Sequence, residues 1–178
     1  MISTEQDLKE KIRIIADFPK KGISFKDITP LLIDPYSFNE AANSFEEYYI
    51  NHNITKICGI ESRGFLLGSV LANKFNAGFV PIRKAGKLPY ETYRTEYELE
   101  YGTDTIEIHK DAIEENDIVL IHDDLLATGG TMNAAIQLIN EFFRPKKVYV
   151  SFIIELSELE GRNKLPISNE NIFSLLQY

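Results

Sequence analysis

The sequence contains no tryptophan and few cysteine, methionine and histidine residues: one Cys, two Met and three His among 178 residues. A single cysteine excludes an intramolecular disulfide, and Cys58 lies in an apolar segment where a buried, reduced thiol is expected. The histidines have no spacing with one another or with Cys58 that suits a ligand set, so the sequence predicts no metal site built from His or Cys.

Long hydrophobic runs are also missing. No apolar segment approaches the roughly 20 residues that a membrane-spanning helix needs, and the stretch Met1–Asp7 is too polar and acidic for a signal peptide. We therefore expect a cytoplasmic protein without a membrane partner. The length and the 44% hydrophobic content fit one globular domain, residues 1–178.

Positive charge is in deficit, because 19 Lys and Arg face 27 Asp and Glu, for a net charge of −8. This balance argues against general nucleic-acid binding. Surface charges farther apart than a Debye length, about 8 Å at physiological salt, are largely screened. Binding of a polyphosphate would therefore depend on basic residues gathered in one place.

The stretch 119–131 combines an apolar strand, two adjacent acids, a turn of small residues and the start of an apolar helix. This order is typical of a ligand site at the carboxyl end of a parallel sheet. The first amides of a helix bind a phosphate monoester well, and ionised carboxylates accept hydrogen bonds from sugar hydroxyls. The stretch thus predicts a site for a 5-phosphorylated ribose, formed by Asp123, Asp124, Ala127, Thr128, Gly129, Gly130 and Thr131.

One geometric condition applies to the acid pair. Successive strand residues point to opposite faces, so Asp123 and Asp124 can both reach one sugar only if the chain already turns there. The alternative interpretation is a solvated turn followed by an N-capped helix. His122 stays unexplained at this point, beyond a half-buried strand residue with one satisfied nitrogen.

A second strand, turn and helix unit spans residues 54–75, with the tetrapeptide Glu61-Ser62-Arg63-Gly64 in the turn. Helix amides and Arg63 would bind a second anion such as pyrophosphate, although Glu61 and Arg63 could simply pair with each other. A basic run after a strand at 78–83 supplies the cluster that the charge balance requires. A solvated face is the alternative for that run. The predicted pyrophosphate set is Ser62, Arg63, Arg83, Lys84 and Lys87.

The remaining pattern predicts an amphipathic helix over 3–16, capped by Ser3, a helix from Pro35 capped by Asp34, and strands at 105–108 and 146–154. Residues 85–104 suit a mobile lid or a hairpin, and the tail 155–178 is expected to be irregular. Strands alternating with helices predict an α/β fold with a mainly parallel central sheet flanked by helices.

The run from Asp123 to Met132 resembles the 5-phosphoribosyl-1-pyrophosphate (PRPP) signature of the type I phosphoribosyltransferases. Its particular residues resemble the form of that signature in the adenine phosphoribosyltransferases. The resemblance implies transfer of 5-phosphoribosyl from PRPP to adenine, giving AMP and pyrophosphate in purine salvage. It also implies a homodimer in which Arg83 reaches the partner's site. Mg²⁺ would enter on the pyrophosphate, with no direct protein ligand needed.

Three further motifs carry the resemblance. Residues 17–33 resemble the family's N-terminal hood, which implies adenine contacts at Ser24 and Lys26, although Lys26 replaces an arginine whose planar guanidinium it cannot mimic. The tetrapeptide at 61–64 is similar to the family's pyrophosphate loop, which usually has a cis peptide before its small residue. Residues 99–102 resemble the catalytic loop, which implies proton exchange by Glu100 and a lid role for Tyr101.

The residues alone leave other assignments open. Glu96 and Glu98 compete with Glu100 if the resemblance is set aside. The transferred base could be xanthine, hypoxanthine or orotate, although the hood and the Leu-Glu-Tyr-Gly loop argue against these. A PRPP-sensing regulator without catalysis is a rival from another class, and a P-loop hydrolase is disfavoured because no Gly-x-x-x-x-Gly-Lys-Ser/Thr occurs.

Overall fold

The structure, a computed structural model, describes residues 5–98 and 102–178. Its main sheet has the strand order β5-β6-β4-β3-β7-β8-β9, and β1 and β2 form a separate antiparallel pair. The strands are β1 Arg13–Ile15, β2 Phe25–Asp27, β3 Lys56–Ile60, β4 Gly78–Lys84, β5 Thr92–Glu98, β6 Thr103–His109, β7 Ile118–Leu126, β8 Lys147–Glu155 and β9 Ile172–Gln177. The helices are α1 Glu5–Lys9, α2 Thr29–Ile33, α3 Pro35–Tyr49, α4 Gly64–Lys74 and α5 Gly130–Phe142, with short 3₁₀ turns at Ser157–Leu159, Gly161–Lys164 and Asn169–Asn171.

The centre of the sheet is parallel and buried on both faces. Strand β3 pairs in parallel with β4 and β7, and β7 with β8. Alternate residues of β7 point to opposite faces, so Val119 and Ile121 pack with α5 while Leu120 packs with α3 and α4. The apolar strands found in the sequence are thus explained by two helical layers, and the predicted α/β fold is confirmed.

The predicted helix over 3–16 is wrong beyond its first turns. Helix α1 ends at Lys9, and residues 13–15 form β1, which pairs with β2 of the hood. Ile14 and Ile15 are β-branched residues with modest helix propensity, and the ion pair of Arg13 with Asp27 across the two strands measures 3.5 Å. Tertiary pairing therefore outweighs the local helical spacing. The Ser3 cap lies outside the described residues.

Two boundaries near the carboxyl end of the sheet also differ from expectation. Strand β7 continues through the acids to Leu126, because its neighbour β8 runs equally far and pairs Leu125 with Ile154. The tail is not irregular throughout, since residues 172–177 form β9, which joins β8 in parallel at the edge of the sheet. Residues 92–98 and 103–109 form the arms of an antiparallel hairpin, as one of the two interpretations of 85–104 predicted.

Asp34 caps α3 as predicted: its side chain accepts a hydrogen bond from the amide of Tyr36, and Pro35 occupies the first turn. Cys58 is buried and free. No helix within residues 5–98 and 102–178 is long and apolar enough to cross a membrane.

Candidate active site

A cavity of about 940 Å³ opens at the carboxyl end of the parallel strands. Its volume lies at the upper end of the range typical of small-molecule sites, roughly 300–1,000 Å³. Three parts of the chain enclose it: the hood, the turn from β7 into α5, and the segment after β8. The lining residues are Gly22, Ile23, Ser24, Phe25, Lys26, Asp123, Leu125, Leu126, Ala127, Thr128, Gly129, Gly130, Thr131, Met132, Leu156, Glu158, Leu159 and Tyr178.

The turn into α5 has a backbone that requires glycine at one position. Gly129 has a φ of 83°, and a Cβ on it would lie 2.8 Å from the carbonyl oxygen of Gly161. Side chains rarely adopt this φ and could not fit the space. Helix α5 begins at the next residue, so the first amides of the helix face the cavity that the turn lines.

The two acids differ in their surroundings. Asp123 lines the cavity, whereas Asp124 is buried and forms an ion pair of 3.0 Å with Arg63. Residues 118–126 remain in a strand, so the turn that would bring both carboxylates to one sugar is absent from this part of the chain. The structure therefore separates the pair into a cavity-facing acid and an arginine-bound acid.

The carboxyl groups of Asp123 and Asp124 both have raised pKa values. Burial, together with the neighbouring charge of Asp124, raises the pKa of Asp123 well above its ordinary value. Burial also raises the pKa of Asp124, and the positive charge of Arg63 offsets this only in part. Two adjacent buried carboxylates cannot both be ionised without cost, so hydroxyl donors or a cation brought by a ligand would favour the charged pair.

The loop at 61–64 packs directly on β7. Its Glu61–Ser62 peptide is cis, the isomer that the family resemblance implied. A Cβ on Gly64 would lie 2.7 Å from the carbonyl oxygen of His122, so only glycine permits this approach. Arg63 lies 5.1 Å from the ring centre of the hood residue Phe25, and thereby connects the hood to the strand that carries the acids.

Glu61 does not pair with Arg63, so that alternative interpretation is wrong. Its carboxylate binds Lys87 Nζ, Arg83 Nε at 3.1 Å and the amide of Lys84 at 3.1 Å. Burial alone would raise the pKa of Glu61, but these three contacts outweigh it and lower the pKa to about 2. The ammonium group of Lys84 pairs with Asp104 at 2.9 Å.

Acids thus pair with the basic cluster, although the side chains of Lys84 and Lys87 stay exposed to solvent, as the alternative interpretation predicted. Arg83, Lys84 and Lys87 do not line the large cavity, and neither do Ser62 and Arg63. The structure thus divides the predicted residues that it describes into a group that lines the cavity, the basic residues around Glu61, and the ion pair of Arg63 with Asp124.

Glu107 was missed by the sequence reasoning. Its buried carboxylate accepts hydrogen bonds from the amides of Lys87 and Leu88, both at 3.1 Å, and so fixes the backbone of the basic segment. The available signal was an acid between two isoleucines of a strand, where a buried charge needs partners. Glu158, Leu156, Leu159 and Tyr178 were also missed, because nothing in the sequence places the segment after β8 beside the hood.

Both predicted adenine contacts line the cavity, but the Lys26 ammonium group is already engaged. Its Nζ donates a hydrogen bond of 3.2 Å to Ser24 Oγ and lies 4.9 Å from the ring centre of Tyr178. Because the ammonium group already has these partners, the backbone of the hood is the remaining candidate for contact with a base. Glu100 and Tyr101 lie outside the described residues, and the hairpin pair Glu98 and Thr103 flanks them.

His122 is fully buried, not half-buried as expected. Its Nδ1 lies 2.9 Å from Ser151 Oγ, and within the described residues its Nε2 has no hydrogen-bond partner. Burial lowers the pKa of His122 to about 3, so the imidazole stays neutral and provides no charge to the neighbouring acids. We interpret it as a structural residue of the strand.

Replacing His122 by valine is expected to make the protein less sensitive to acid. The unfolded chain binds a proton at His122 below its ordinary pKa of about 6.5, whereas the folded chain does so only near 3. Stability is therefore lost as the pH falls through this window. Between pH 7.5 and 5.0 the wild type should lose about 2 kcal/mol more unfolding free energy than His122→Val, measured by urea denaturation. Equal losses would contradict the neutral assignment, since the other histidines are common to both proteins.

The residues fit Mg²⁺ that arrives with a substrate better than a resident ion. Within the described residues no group of three or more His, Cys, Asp or Glu is arranged to hold a metal. The Oδ2 atom of Asp124 is buried and, in the same part of the chain, has no hydrogen-bond partner beyond its ion pair. Carboxylate oxygens are suitable for Mg²⁺, which keeps several waters and substrate oxygens.

Comparison with known proteins identifies the family of the chain. A family model described as phosphoribosyl transferase domain matches residues 38–162. The chain is 56% identical over 163 residues to an adenine phosphoribosyltransferase of Bacteroides thetaiotaomicron, covering 92% of each chain. It superposes on the adenine phosphoribosyltransferase of Rhodothermus marinus with a TM-score of 0.91 at 50% identity, covering 98% of each chain. The corresponding Saccharomyces cerevisiae structure, complexed with an imino-altritol bisphosphate and adenine, gives a TM-score of 0.90 at 41% identity, covering 97% of this chain and 98% of that one. The chain therefore belongs to the adenine phosphoribosyltransferases of the type I phosphoribosyltransferase family.

Proposed function

We propose that this protein transfers the 5-phosphoribosyl group from PRPP to adenine and releases AMP and pyrophosphate in purine salvage. The observation that carries the proposal is that the hood and the turn at 127–131 line the same cavity. A nucleoside monophosphate needs this combination, because its base and its phosphate are bound by different elements. The yeast relative with adenine in its complex supports the choice of base.

The 5-phosphate is assigned to the turn. The amides at the start of α5 and the hydroxyls of Thr128 and Thr131 supply donors, and the helix end favours the negative charge. Ala127, Gly129 and Gly130 leave the backbone open to close approach. Thr131 Oγ1 lies 3.4 Å from the hydroxyl of Tyr97 in the hairpin, so strand β5 of the hairpin contacts the turn at 127–131, which we call the phosphate turn.

The ribose is assigned to the acid pair. Asp123 faces the cavity and accepts hydrogen bonds from sugar hydroxyls, while Asp124 is held by Arg63. As the bond from C1 to the pyrophosphate oxygen breaks, positive charge develops on the ribose. The ionised acids then stabilise that charge more than they stabilise the neutral sugar, which is the condition for catalysis.

The leaving pyrophosphate is assigned to Ser62, Arg63, Arg83, Lys84 and Lys87. In the structure Glu61 pairs with Arg83 and Lys87, Asp104 with Lys84 and Asp124 with Arg63. Pyrophosphate oxygens would take the place of these carboxylates. Mg²⁺, when bound, would offset much of the pyrophosphate charge. The family resemblance assigns proton exchange with a purine ring nitrogen to Glu100, and to Tyr101 a part in excluding the water that would hydrolyse PRPP.

We also propose a cytoplasmic homodimer. PRPP is a highly charged metabolite that does not cross membranes unaided, which favours the cytoplasm. The family resemblance places Arg83 at the partner's site, although within one chain Arg83 binds Glu61 and the carbonyl of Lys87. Light scattering should give about twice the chain mass of 20.4 kDa, and a monomer at assay concentration would contradict the dimer.

The reaction is tested by mixing the purified protein with PRPP, adenine and Mg²⁺. AMP and pyrophosphate should appear in equal amounts, and an excess of chelator should suppress both products. A PRPP-sensing regulator would bind PRPP and form neither product. Measurement of binding to duplex DNA at a stated salt concentration would then decide whether that rival deserves further tests.

A further inference from the structure

Tyr178, which follows β9 and lines the cavity, contacts α1, the hood and the segment after β8. Its ring lies under the ammonium groups of Lys26 and Lys9, at 4.9 Å and 5.6 Å from the ring centre. Both distances are within the range of a cation–π interaction, about 6 Å. Its hydroxyl also donates a 3.4 Å hydrogen bond to the carbonyl oxygen of Lys9. One aromatic ring thus joins α1 and the hood strand β2 to the edge of the sheet.

The backbone of Tyr178 contacts the segment after β8. Its amide donates to the carbonyl of Glu155 at 2.9 Å, and its carbonyl accepts from the amide of Ser157 at 2.8 Å. The segment between those partners leads to Leu156 and Leu159, which line the cavity. These bonds do not depend on the side chain, so the sheet fixes the backbone from which the ring extends.

We propose that Tyr178 is a positioning residue for the purine. Its ring fixes the distance between the hood and the segment after β8, so that one purine fits between them. The proposal rests on the function proposed above, since it concerns the base side of the same cavity. None of the bonds described joins Tyr178 to the turn at 127–131. Loss of the ring should therefore affect the base and leave the phosphoribosyl substrate largely unaffected.

The arrangement also explains the engagement of Lys26. Its ammonium group is held between Ser24 and the Tyr178 ring, so its side chain acts through the tyrosine and fixes the hood backbone. The alternative is that the Lys26 side chain contacts the base directly, in which case its effect would not depend on Tyr178. A double variant distinguishes these two explanations.

The test measures both Michaelis constants and kcat in four proteins: wild type, Tyr178→Leu, Lys26→Met and the double variant. Tyr178→Leu should raise the KM for adenine about tenfold and change the KM for PRPP and kcat by less than threefold. Lys26→Met should raise the same KM, and the double variant should exceed the larger single effect by less than twofold. Tyr178→Phe, which keeps the ring, should stay within twofold of wild type.

A matched control lies at the other end of β8, where Lys147 is 5.5 Å from the ring centre of Tyr149. Lys147→Met removes a similar contact far from the cavity and should change neither Michaelis constant. An unchanged KM for adenine in Tyr178→Leu would overturn the inference, as would equal rises for both substrates. Independent, multiplying effects in the double variant would also overturn it. Failure of the proposed function is distinguishable, because the wild type would then make no AMP.

Discussion

Replacement of Glu100 by glutamine is expected to lower kcat by about 100- to 1,000-fold while the KM values for adenine and PRPP change by less than about threefold. Proton exchange by a positioned carboxyl group typically contributes 10²–10⁴ to a rate, and glutamine keeps the size of the side chain without its proton chemistry. Because the loss concerns an interaction made in the transition state, it should appear in kcat and not in ground-state binding. Steady-state rates of AMP formation measure it.

Glu96 and Glu98 provide the matched controls for this assignment. Both are acids of the same hairpin arm, and they were the alternatives to Glu100 before the family resemblance was considered. Glu96→Gln and Glu98→Gln should keep kcat within about threefold of wild type. If one of them loses activity while Glu100→Gln turns over normally, the catalytic carboxyl group has been assigned to the wrong residue.

Replacement of Gly129 by alanine is expected to weaken AMP binding by at least about 100-fold, which corresponds to roughly 2.7 kcal/mol. A residue with a side chain is strained at a φ of 83°, and its Cβ would meet the carbonyl of Gly161 at 2.8 Å. The turn must shift, and the amides that bind the phosphate shift with it. Calorimetry with AMP measures the loss, and adenine alone, which lacks the phosphate, should bind with similar affinity to both proteins.

Gly86 offers a control with the same backbone conformation and no steric conflict. Its φ is 80°, and among the described residues no atom lies within 4 Å of a Cβ built on it. Gly86→Ala should therefore show the strain alone and retain AMP affinity within about threefold. If Gly129→Ala also stays within threefold, the turn does not bind the phosphate.

Much of the architecture could be predicted from sequence because it depends on local pattern. The runs around Ile57, Leu120 and Val150 have apolar residues at consecutive positions, which indicates strands buried on both faces. The Ala-Thr-Gly-Gly-Thr turn indicates a phosphate site because its residues have the conformational freedom and the donors that the task requires. The family assignment follows from four such motifs in one order.

The elements that could not be predicted are those decided by distant partners. Residues 13–15 form a strand because β2 is available to pair with them, and β7 extends through the acids because β8 runs alongside. The ion pairs of Glu61 with Arg83 and Lys87 join residues more than twenty positions apart in the chain. No local spacing encodes such contacts, and the contribution of Tyr178 to the base side of the cavity belongs to the same class.

The most direct test of the account compares kcat/KM for adenine, hypoxanthine, guanine and xanthine at saturating PRPP and Mg²⁺. We expect adenine to exceed each of the other bases by at least about 100-fold, because a site that pairs its buried polar groups with one base leaves them unpaired with another. Comparable or higher kcat/KM for hypoxanthine or xanthine would contradict the assignment of the hood to adenine.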